Sequence, residues 1–256
     1  MTYPIYIISL STEIERRKYV AEQLAQYELE PIYVDAIDMR TASTEQVLAA
    51  QDHLVNKQTR VLTAGEVGCA LSHLSAYKTI IQQGIDYALI LEDDVMLLEN
   101  PENLFSAIPR LYQHHPFDVL IAGYVKILPE QLKYHYQRRP LKNLARSGSY
   151  QTGYPWKQQH CGTVAYIITQ LGDQKMLAAN SPLRYVADAW DSFHHLYGID
   201  IQHLRPCIAL ENNQFESTVG NTFRPINDKL LSRSFHLLKG RLRYIAMNYF
   251  DIYAKF

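Results

Sequence analysis

A short apolar run that ends in three consecutive carboxylates constrains this chain more than any other feature. Residues Ala88 to Leu91 have the length and branched composition of a buried strand. Glu92, Asp93 and Asp94 follow directly, so we expect them at the carboxyl end of a central strand, where open α/β sheets bind ligands. Adjacent carboxylates repel one another unless a cation or hydrogen-bond donors hold them. The pattern favours a site for Mg²⁺ or Mn²⁺ over an acidic loop in solvent.

The length and composition allow an ordinary globular domain with uneven charge. The 256 residues suffice for one large α/β domain or two small ones, and 47% hydrophobic residues can fill a core. Residues 1–125 contain 17 acidic and 8 basic side chains, a net charge of −9, whereas residues 126–256 contain 9 and 17, a net charge of +8. We expect the second half to face a polyanion or a charged membrane surface.

The cysteines and the N-terminus indicate the cellular compartment. Cys69, Cys161 and Cys207 are far apart and match no metal-ligand spacing. The first ten residues lack the basic segment of a signal peptide, and no apolar run approaches the ~20 residues that cross a bilayer. These features predict a reduced, cytosolic protein.

Strand and helix patterns alternate through the first half, as in a nucleotide-binding α/β sheet. Helix starts are indicated by capping boxes, in which Ser or Thr precedes Glu or Gln by three residues: Thr12 with Glu15, Ser43 with Gln46, and Thr63 with Glu66. The predicted strands are Tyr3–Leu10, Pro31–Val34, Ala88–Leu91, Phe117–Ala122 and, later, Thr163–Thr169.

Two basic segments interrupt or follow this pattern. Residues 124–160 hold seven Lys or Arg residues against one acid, with interleaved aromatics and no evident period, which predicts a long structured insertion near the site. The tail from Lys229 to Phe256 has the pattern of a basic amphipathic helix, which suits an anionic membrane surface or packing against the domain.

Several segments together resemble glycosyltransferase family 25, whose members elaborate bacterial lipooligosaccharide and, in animals, galactosylate collagen. The matching segments are Ile8–Leu10 with Arg16-Arg17, Thr63–His73, Ile90–Val95, Gly162–Thr169 and Val186–Asp188. Two departures stand out: Ser9 replaces the family's usual Asn, and Val186-Ala187 replaces Pro-Val before Asp188.

The resemblance implies a GT-A-like fold, with a Rossmann-type mixed sheet flanked by helices. It also implies an inverting, metal-dependent transfer from a nucleotide sugar, with UDP-galactose as the commonest donor and UDP-glucose next. We expect one catalytic domain over residues 1–228, with a donor half at about 1–123 and an acceptor half at about 124–228. Residues 229–256 form the tail.

In this interpretation Glu92 and Asp94 bind Mn²⁺ or Mg²⁺, which stabilises charge on the departing phosphate. Asp93 is expected at the ribose or behind the metal ligands. The resemblance places Ser72 and His73 near the donor, although a lone helical His is more often structural. Donor-binding candidates that also have ordinary structural explanations are Arg16 and Arg17, which suit a diphosphate, and Glu66, which completes a capping box.

Inversion requires a base on the face opposite the leaving group. Asp188 is the first candidate and Asp191 the second, although either Asp could simply cap a helix. His160 is a weaker candidate for a metal or acceptor contact.

The expected partners are a nucleotide-sugar donor, a lipid-linked oligosaccharide acceptor and an anionic membrane surface. This predicts a cytoplasmic protein, peripheral on the inner face of a bacterial inner membrane. Two alternatives remain: a metal-dependent phospho- or nucleotidyltransferase, and a non-catalytic adaptor that binds anionic glycolipid. The chain has no GxxxxGK[ST] phosphate loop. Nucleic acid is not expected, because the overall charge is −1 and no recognition motif is present.

Overall fold

An eight-stranded mixed sheet organises the chain. The computed structural model describes residues 3–52, 60–156, 162–215 and 230–252. The strands of the large sheet are β1 (Ile5–Ser9), β2 (Pro31–Asp35), β3 (Tyr87–Glu92), β5 (Val119–Ile121), β7 (Leu141–Ser147), β8 (Tyr150–Pro155), β9 (Ala165–Thr169) and β10 (Ile201–Arg205), in the order β2-β1-β3-β9-β5-β10-β8-β7. A small sheet joins β4 (Val95–Leu97), β11 (Ala209–Glu211) and β6 (Gly123–Tyr124).

The central strands run parallel, with one exception. β2, β1 and β3 are parallel neighbours, and β10 is parallel to β5. β9 lies antiparallel between β3 and β5, so the carboxyl ends of β3, β5 and β10 share one edge of the sheet. The expected Rossmann-type mixed sheet is confirmed.

Helices cover both faces of this sheet because its strands are apolar on both sides. Ala88 and Ile90 pack on one face, with α3 (Ala64–Gln82), α6 (Gln170–Asn180) and α7 (Trp190–Tyr197). Leu89 and Leu91 pack on the other, with α1 (Ile14–Ala25) and α4 (Pro101–His114). A strand buried on both faces reads as a continuous apolar run, which explains the sequence of β3.

Local capping signals were mostly correct. Ser43 caps α2 (Thr44–Ala49) and Thr63 caps α3, each with a complete capping box. The box predicted for Thr12 and Glu15 is wrong: α1 begins at Ile14 after Glu13, and no side chain caps it.

The basic segment after residue 123 is more regular than its sequence indicates. It forms β6, a 3₁₀ turn (Pro129–Gln131), α5 (Leu132–Arg138) and the hairpin β7–β8, which extends the large sheet beyond β10. The segment is thus structured, as expected, although its sequence shows no clear helical or strand period. The helix is too short and the hairpin too irregular, with a register shift at Asn143–Ala145, to leave a clear period.

The predicted tail helix is confirmed as α8 (Leu230–Tyr249), which packs on α5 and β7. Asn248 donates to the Leu141 carbonyl at 2.9 Å, and its side-chain oxygen accepts from the Asn143 amide at 2.9 Å. Among the described residues, no helix combines the length and apolar character that crossing a bilayer requires. The division at residue 228 stays a prediction.

Candidate active site

A cleft of about 170 Å³ opens at the carboxyl edge of β1 and β3. Its walls are the strand ends, the loop 36–40 and the N-terminal half of α3. The predicted carboxylates lie here, and so do Arg16, Ser72 and His73. The expected position of the acidic run, at the end of a central strand, is confirmed.

Asp93 is held by two donors. Ser9 Oγ donates to one carboxylate oxygen at 2.7 Å, and Arg16 Nη1 donates to the other at 2.9 Å. Burial alone would lower the pKa of Arg16, but the hydrogen bond and charge of Asp93 raise it, and Asp94 adds to this effect. Arg16 thus lies against the acidic run, and a ribose contact by Asp93 stays a prediction.

The Asp94 carboxylate has fewer hydrogen-bond donors and less nearby positive charge than that of Asp93. Its Oδ2 lies 3.4 Å from Arg16 Nη1, while its buried Oδ1 has no hydrogen-bond partner in the described part of the chain. Burial, followed by the charges of Glu92 and Asp93, raises the pKa of Asp94 to about 8. Glu211, at the end of β11, lines the same cleft and raises it further. A divalent cation bound by these oxygens would give Asp94 Oδ1 a partner and would offset the repulsion among the neighbouring carboxylates.

Glu92 belongs to a chain of oriented polar groups. Thr163 donates to its Oε1, which also lies 3.4 Å from His73 Nε2. The other ring nitrogen of His73 lies 2.7 Å from the Tyr166 hydroxyl, which lies 2.9 Å from that of Tyr77. Although burial alone would raise the pKa of Glu92, the hydrogen bond and charge of His73 and the bond from Thr163 hold it below its ordinary value.

Ser72 shapes the wall of the cleft. Its hydroxyl donates to the Gly68 carbonyl at 2.6 Å and accepts from the Ile37 amide at 2.8 Å, which ties α3 to the loop 36–40. Helix and loop approach so closely that a Cβ at Gly68 would lie 2.5 Å from the Ile37 carbonyl oxygen. The Ser72 hydroxyl thus already donates one hydrogen bond and accepts another within the protein. A direct contact of Ser72 with the nucleotide-sugar donor stays a prediction.

Glu66 completes the capping box of α3 and pairs with Arg60. Arg60, followed by hydrogen bonds from Thr63, holds the pKa of Glu66 at about 2 despite partial burial. Glu66 does not line the cleft, although Gly65 beside it does. Its proposed donor contact is untested, and its described contacts are those of a helix cap.

The two candidate bases occupy different surroundings. Asp188 precedes α7 and is close enough to Arg60 and Cys69 to shift the pKa of each. Asp191 lies in the first turn of α7, with 56% of its side chain exposed, 3.4 Å from His195. Asp188 itself does not line the cleft, although Cys69 does, and Asp191 is directed to a neighbour on its own helix, so the choice of base stays a prediction. His160 lies outside the described residues.

Four further residues at the site escaped the sequence interpretation: Cys69, Thr163, Tyr166 and Glu211. Cys69 lies one helical turn before His73, so both lie on one face of α3. That spacing was an available signal. Thr163, Tyr166 and Glu211 reach the site through the pairing of β9 with β3 and of β11 with β4, which no local pattern reveals.

Comparisons with known proteins agree on one family. The model of glycosyltransferase family 25 (LPS biosynthesis protein) matches residues 2–190. A putative glycosyltransferase of Haemophilus influenzae is 26% identical over 226 residues, covering 84% of this chain and 74% of its own. The probable inactive glycosyltransferase 25 family member 3 of Bos taurus is 29% identical over 191 residues, which cover 70% of this chain and 29% of that relative. Human procollagen galactosyltransferase 2 is 27% identical over 182 residues, which cover 69% of this chain and 27% of that relative. This chain therefore spans less than a third of the length of these two animal relatives.

Proposed function

This chain belongs to glycosyltransferase family 25, and on that premise we propose an inverting, metal-dependent transfer of a hexose from a nucleotide sugar to a lipid-linked oligosaccharide. The family description concerns LPS biosynthesis, which supports a lipopolysaccharide or lipooligosaccharide core as the acceptor. The name of the human relative supports galactose, and hence UDP-galactose, as the donor.

The metal assignment depends mainly on the partnerless Oδ1 of Asp94. A buried acceptor without a donor is costly, and here it lies beside the other carboxylates of the cleft. Glu92 and Asp94 would hold the ion, with Glu211 as a further oxygen ligand. Carboxylate oxygens suit Mg²⁺ or Mn²⁺. A bound ion would supply positive charge where the diphosphate leaves.

The side chains around the cleft would prepare these ligands. Arg16 and Ser9 hold Asp93, which keeps the turn after β3 in place. His73 and Thr163 direct the Glu92 carboxylate toward the cleft. Asp188 would take the proton of the acceptor hydroxyl, because it precedes α7 and its charge acts on Cys69, which lines the cleft.

The metal assignment is tested by Asp94→Asn, with Asp86→Asn as a matched control on an exposed carboxylate immediately before β3. We expect Asp94→Asn to bind Mn²⁺ weakly and to lower turnover at least about 100-fold, because a metal ligand supplies several kcal/mol. Asp86→Asn should behave as wild type. The readouts are release of UDP from a panel of UDP-sugars and calorimetric binding of Mn²⁺. Full activity of wild type in excess chelator would refute the assignment.

The base is tested by comparing Asp188→Asn with Asp191→Asn. We expect Asp188→Asn to lower kcat with nearly unchanged donor affinity, because a base acts in the transition state and does not contact the nucleotide. The opposite pattern would transfer the role to Asp191. Glycolipid binding without turnover of any nucleotide sugar would instead favour the adaptor interpretation.

Membrane apposition is supported by the outer face of α8. An apolar stripe of this helix is exposed, with exposed fractions of 37–74%: Phe235, Leu238, Leu242, Ile245 and Tyr249. These residues recur every three or four positions, and exposed Lys239 and Arg241 lie on either side of the stripe. Apolar residues flanked by cations suit a helix that lies in the interface of an anionic bilayer.

Vesicle sedimentation tests this surface without disturbing the cleft. Each basic residue near an anionic bilayer contributes about 1 kcal/mol, so the double variant Lys239→Glu, Arg241→Glu should bind at least about tenfold more weakly at low salt. Lys78→Glu, on the exposed side of α3, is the matched control. The double variant should also raise KM for the lipid-linked acceptor and leave KM for the donor unchanged. Unaltered vesicle binding by the double variant would show that α8 is packing alone.

A further inference from the structure

A second set of possible metal ligands lies at the cleft, beside the carboxylate pair. Cys69 Sγ, His73 Nε2 or Nδ1 and a Glu92 oxygen all lie within 4.8 Å of one another. All three residues line the cleft. We infer that Cys69, His73 and Glu92 form a binding site for a thiophilic divalent cation of the Zn²⁺ type, distinct from the hard-cation pair of Glu92 and Asp94.

The spacing of these atoms suits a small tetrahedral ion. Zinc bonds to nitrogen and oxygen are about 2.0–2.2 Å long, so two such ligands stand about 3.3 Å apart in a tetrahedron. His73 Nε2 and Glu92 Oε1 lie 3.4 Å apart. Cys69 and His73 project from successive turns of one helix, and the Cys69 sulfur lies within 4.8 Å of the ligand atoms of His73 and Glu92.

Both oxygen and nitrogen ligands are already oriented by neighbours. The Tyr166 hydroxyl, 2.7 Å from His73 Nδ1, fixes the imidazole so that Nε2 faces Glu92. Thr163 donates to Glu92 and limits rotation of its carboxylate. Such supporting contacts are typical of metal-binding histidines and carboxylates, and they leave the fourth position open toward the cleft.

The same geometry argues against a nucleophilic Cys–His–Glu triad. A triad needs the cysteine on one ring nitrogen of the histidine and the carboxylate on the other. Here Nδ1 is engaged with Tyr166, so Glu92 meets Nε2, the nitrogen that Cys69 would also need. A cation among all three groups satisfies them together. Binding would displace the thiol proton of Cys69 to solvent.

The choice of ion follows from ligand chemistry. A thiolate with an imidazole favours Zn²⁺ over Mn²⁺ or Mg²⁺, whereas carboxylates alone favour the hard ions. Because Glu92 belongs to both sets, Zn²⁺ would withdraw it from Asp94 and inhibit Mn²⁺-dependent turnover. This consequence rests on the proposed function, but the site itself does not.

Cobalt(II) tests the site without any activity measurement. Co²⁺ replaces Zn²⁺ in tetrahedral sites, and thiolate ligation gives a charge-transfer absorption in the near ultraviolet. We expect this band in the wild-type protein, its loss in Cys69→Ser, and its retention in Cys161→Ser and Cys207→Ser, the two control thiols. A band absent from wild type, or one that survives in Cys69→Ser, would overturn the inference. Circular dichroism confirms folding, and Cys69→Ala serves if Cys69→Ser does not fold.

Two further variants separate this site from its surroundings. Tyr166→Phe should keep the Co²⁺ band and weaken Zn²⁺ binding about tenfold or more, because it removes the group that orients His73. Asp94→Asn should keep the band while losing Mn²⁺ binding. If the protein turns over no nucleotide sugar, the Co²⁺ result still decides whether the site exists.

Turnover then tests the competition. In Mn²⁺, the Zn²⁺ concentration for half-inhibition should rise at least about tenfold in Cys69→Ser, each enzyme being compared with its own zinc-free rate. Equal sensitivity of the two enzymes would show that Zn²⁺ acts elsewhere.

Discussion

Asp173 gives the sharpest test of the fold, because it is a buried acid without a described partner. It lies in α6 with no exposed surface, and neither carboxyl oxygen has a hydrogen-bond partner in the described part of the chain. Burial raises its pKa to about 8. The titratable groups that sense its charge come from three other elements: Tyr6 in β1, Tyr77 in α3 and Tyr166 in β9.

The sign of the pH effect follows from this raised pKa. The folded state binds the proton with a pKa of about 8, whereas the unfolded chain releases it near pH ~4. The contribution of Asp173 to stability is therefore complete below about pH 4 and is lost progressively as pH rises toward 8. The slope is about 1.4 kcal/mol per pH unit in that window.

Asp173→Asn removes this proton linkage while keeping the shape of the side chain. The new amide has its own cost of burial, but that cost does not vary with pH. The free energy of unfolding of the variant, minus that of wild type, should therefore rise by about 2.7 kcal/mol between about pH 5.5 and 7.5. Urea unfolding at three pH values measures this difference, and other titrating groups cancel in it.

A flat difference for Asp173→Asn, within about 0.5 kcal/mol, would refute the reasoning. It would mean that Asp173 is hydrated or paired in solution.

Three other substitutions probe the site and the tail. Gly68→Ala would place a Cβ 2.5 Å from the Ile37 carbonyl oxygen, so we expect a loss of about 1–3 kcal/mol in urea unfolding and weaker donor binding. Gly240→Ala would place a Cβ 2.1 Å from the Gln137 carbonyl oxygen, and limited proteolysis should then cut α8 faster. Arg16→Gln leaves its acidic partners without a cation, so it should cost about 3 kcal/mol, and added Mn²⁺ should raise Tm more in the variant than in wild type. Equal Mn²⁺-induced Tm shifts in wild type and Arg16→Gln would contradict the role of Arg16 in neutralising the carboxylates.

Local features of the fold were readable in the sequence because they depend on neighbouring residues alone. The apolar run into Glu92 predicted β3, and the capping boxes at Ser43 and Thr63 predicted two helix starts. The prediction that Thr12 caps α1 was wrong because a capping-box sequence is only a tendency. The chain there enters α1 from a turn at Leu10–Glu13.

Features that depend on strand order were not readable. β9 lies between β3 and β5, although it follows both in sequence, and this pairing brings Tyr166 under His73. β11 likewise brings Glu211 to the cleft by pairing with β4. A hydrophobic period shows that a segment is a strand, but it does not show which strand will be its neighbour.

The charges of the cleft finally predict how the donor binds. Arg16 is engaged with Asp93, which leaves Glu92 and Glu211 facing any diphosphate that enters. At about 6 Å and an effective dielectric constant of about 20, each like-charge pair costs on the order of 3 kcal/mol. UDP should therefore bind measurably only with Mn²⁺ present. The effect of Glu92→Gln on UDP affinity should depend on the cation. In Mn²⁺, calorimetry should show weaker UDP binding by the variant, because a metal ligand is lost. In excess chelator, the variant should bind UDP equally or more strongly, because a repelling charge is lost. Weaker binding in both conditions would mean that Glu92 contacts the nucleotide itself and that the cation is held elsewhere.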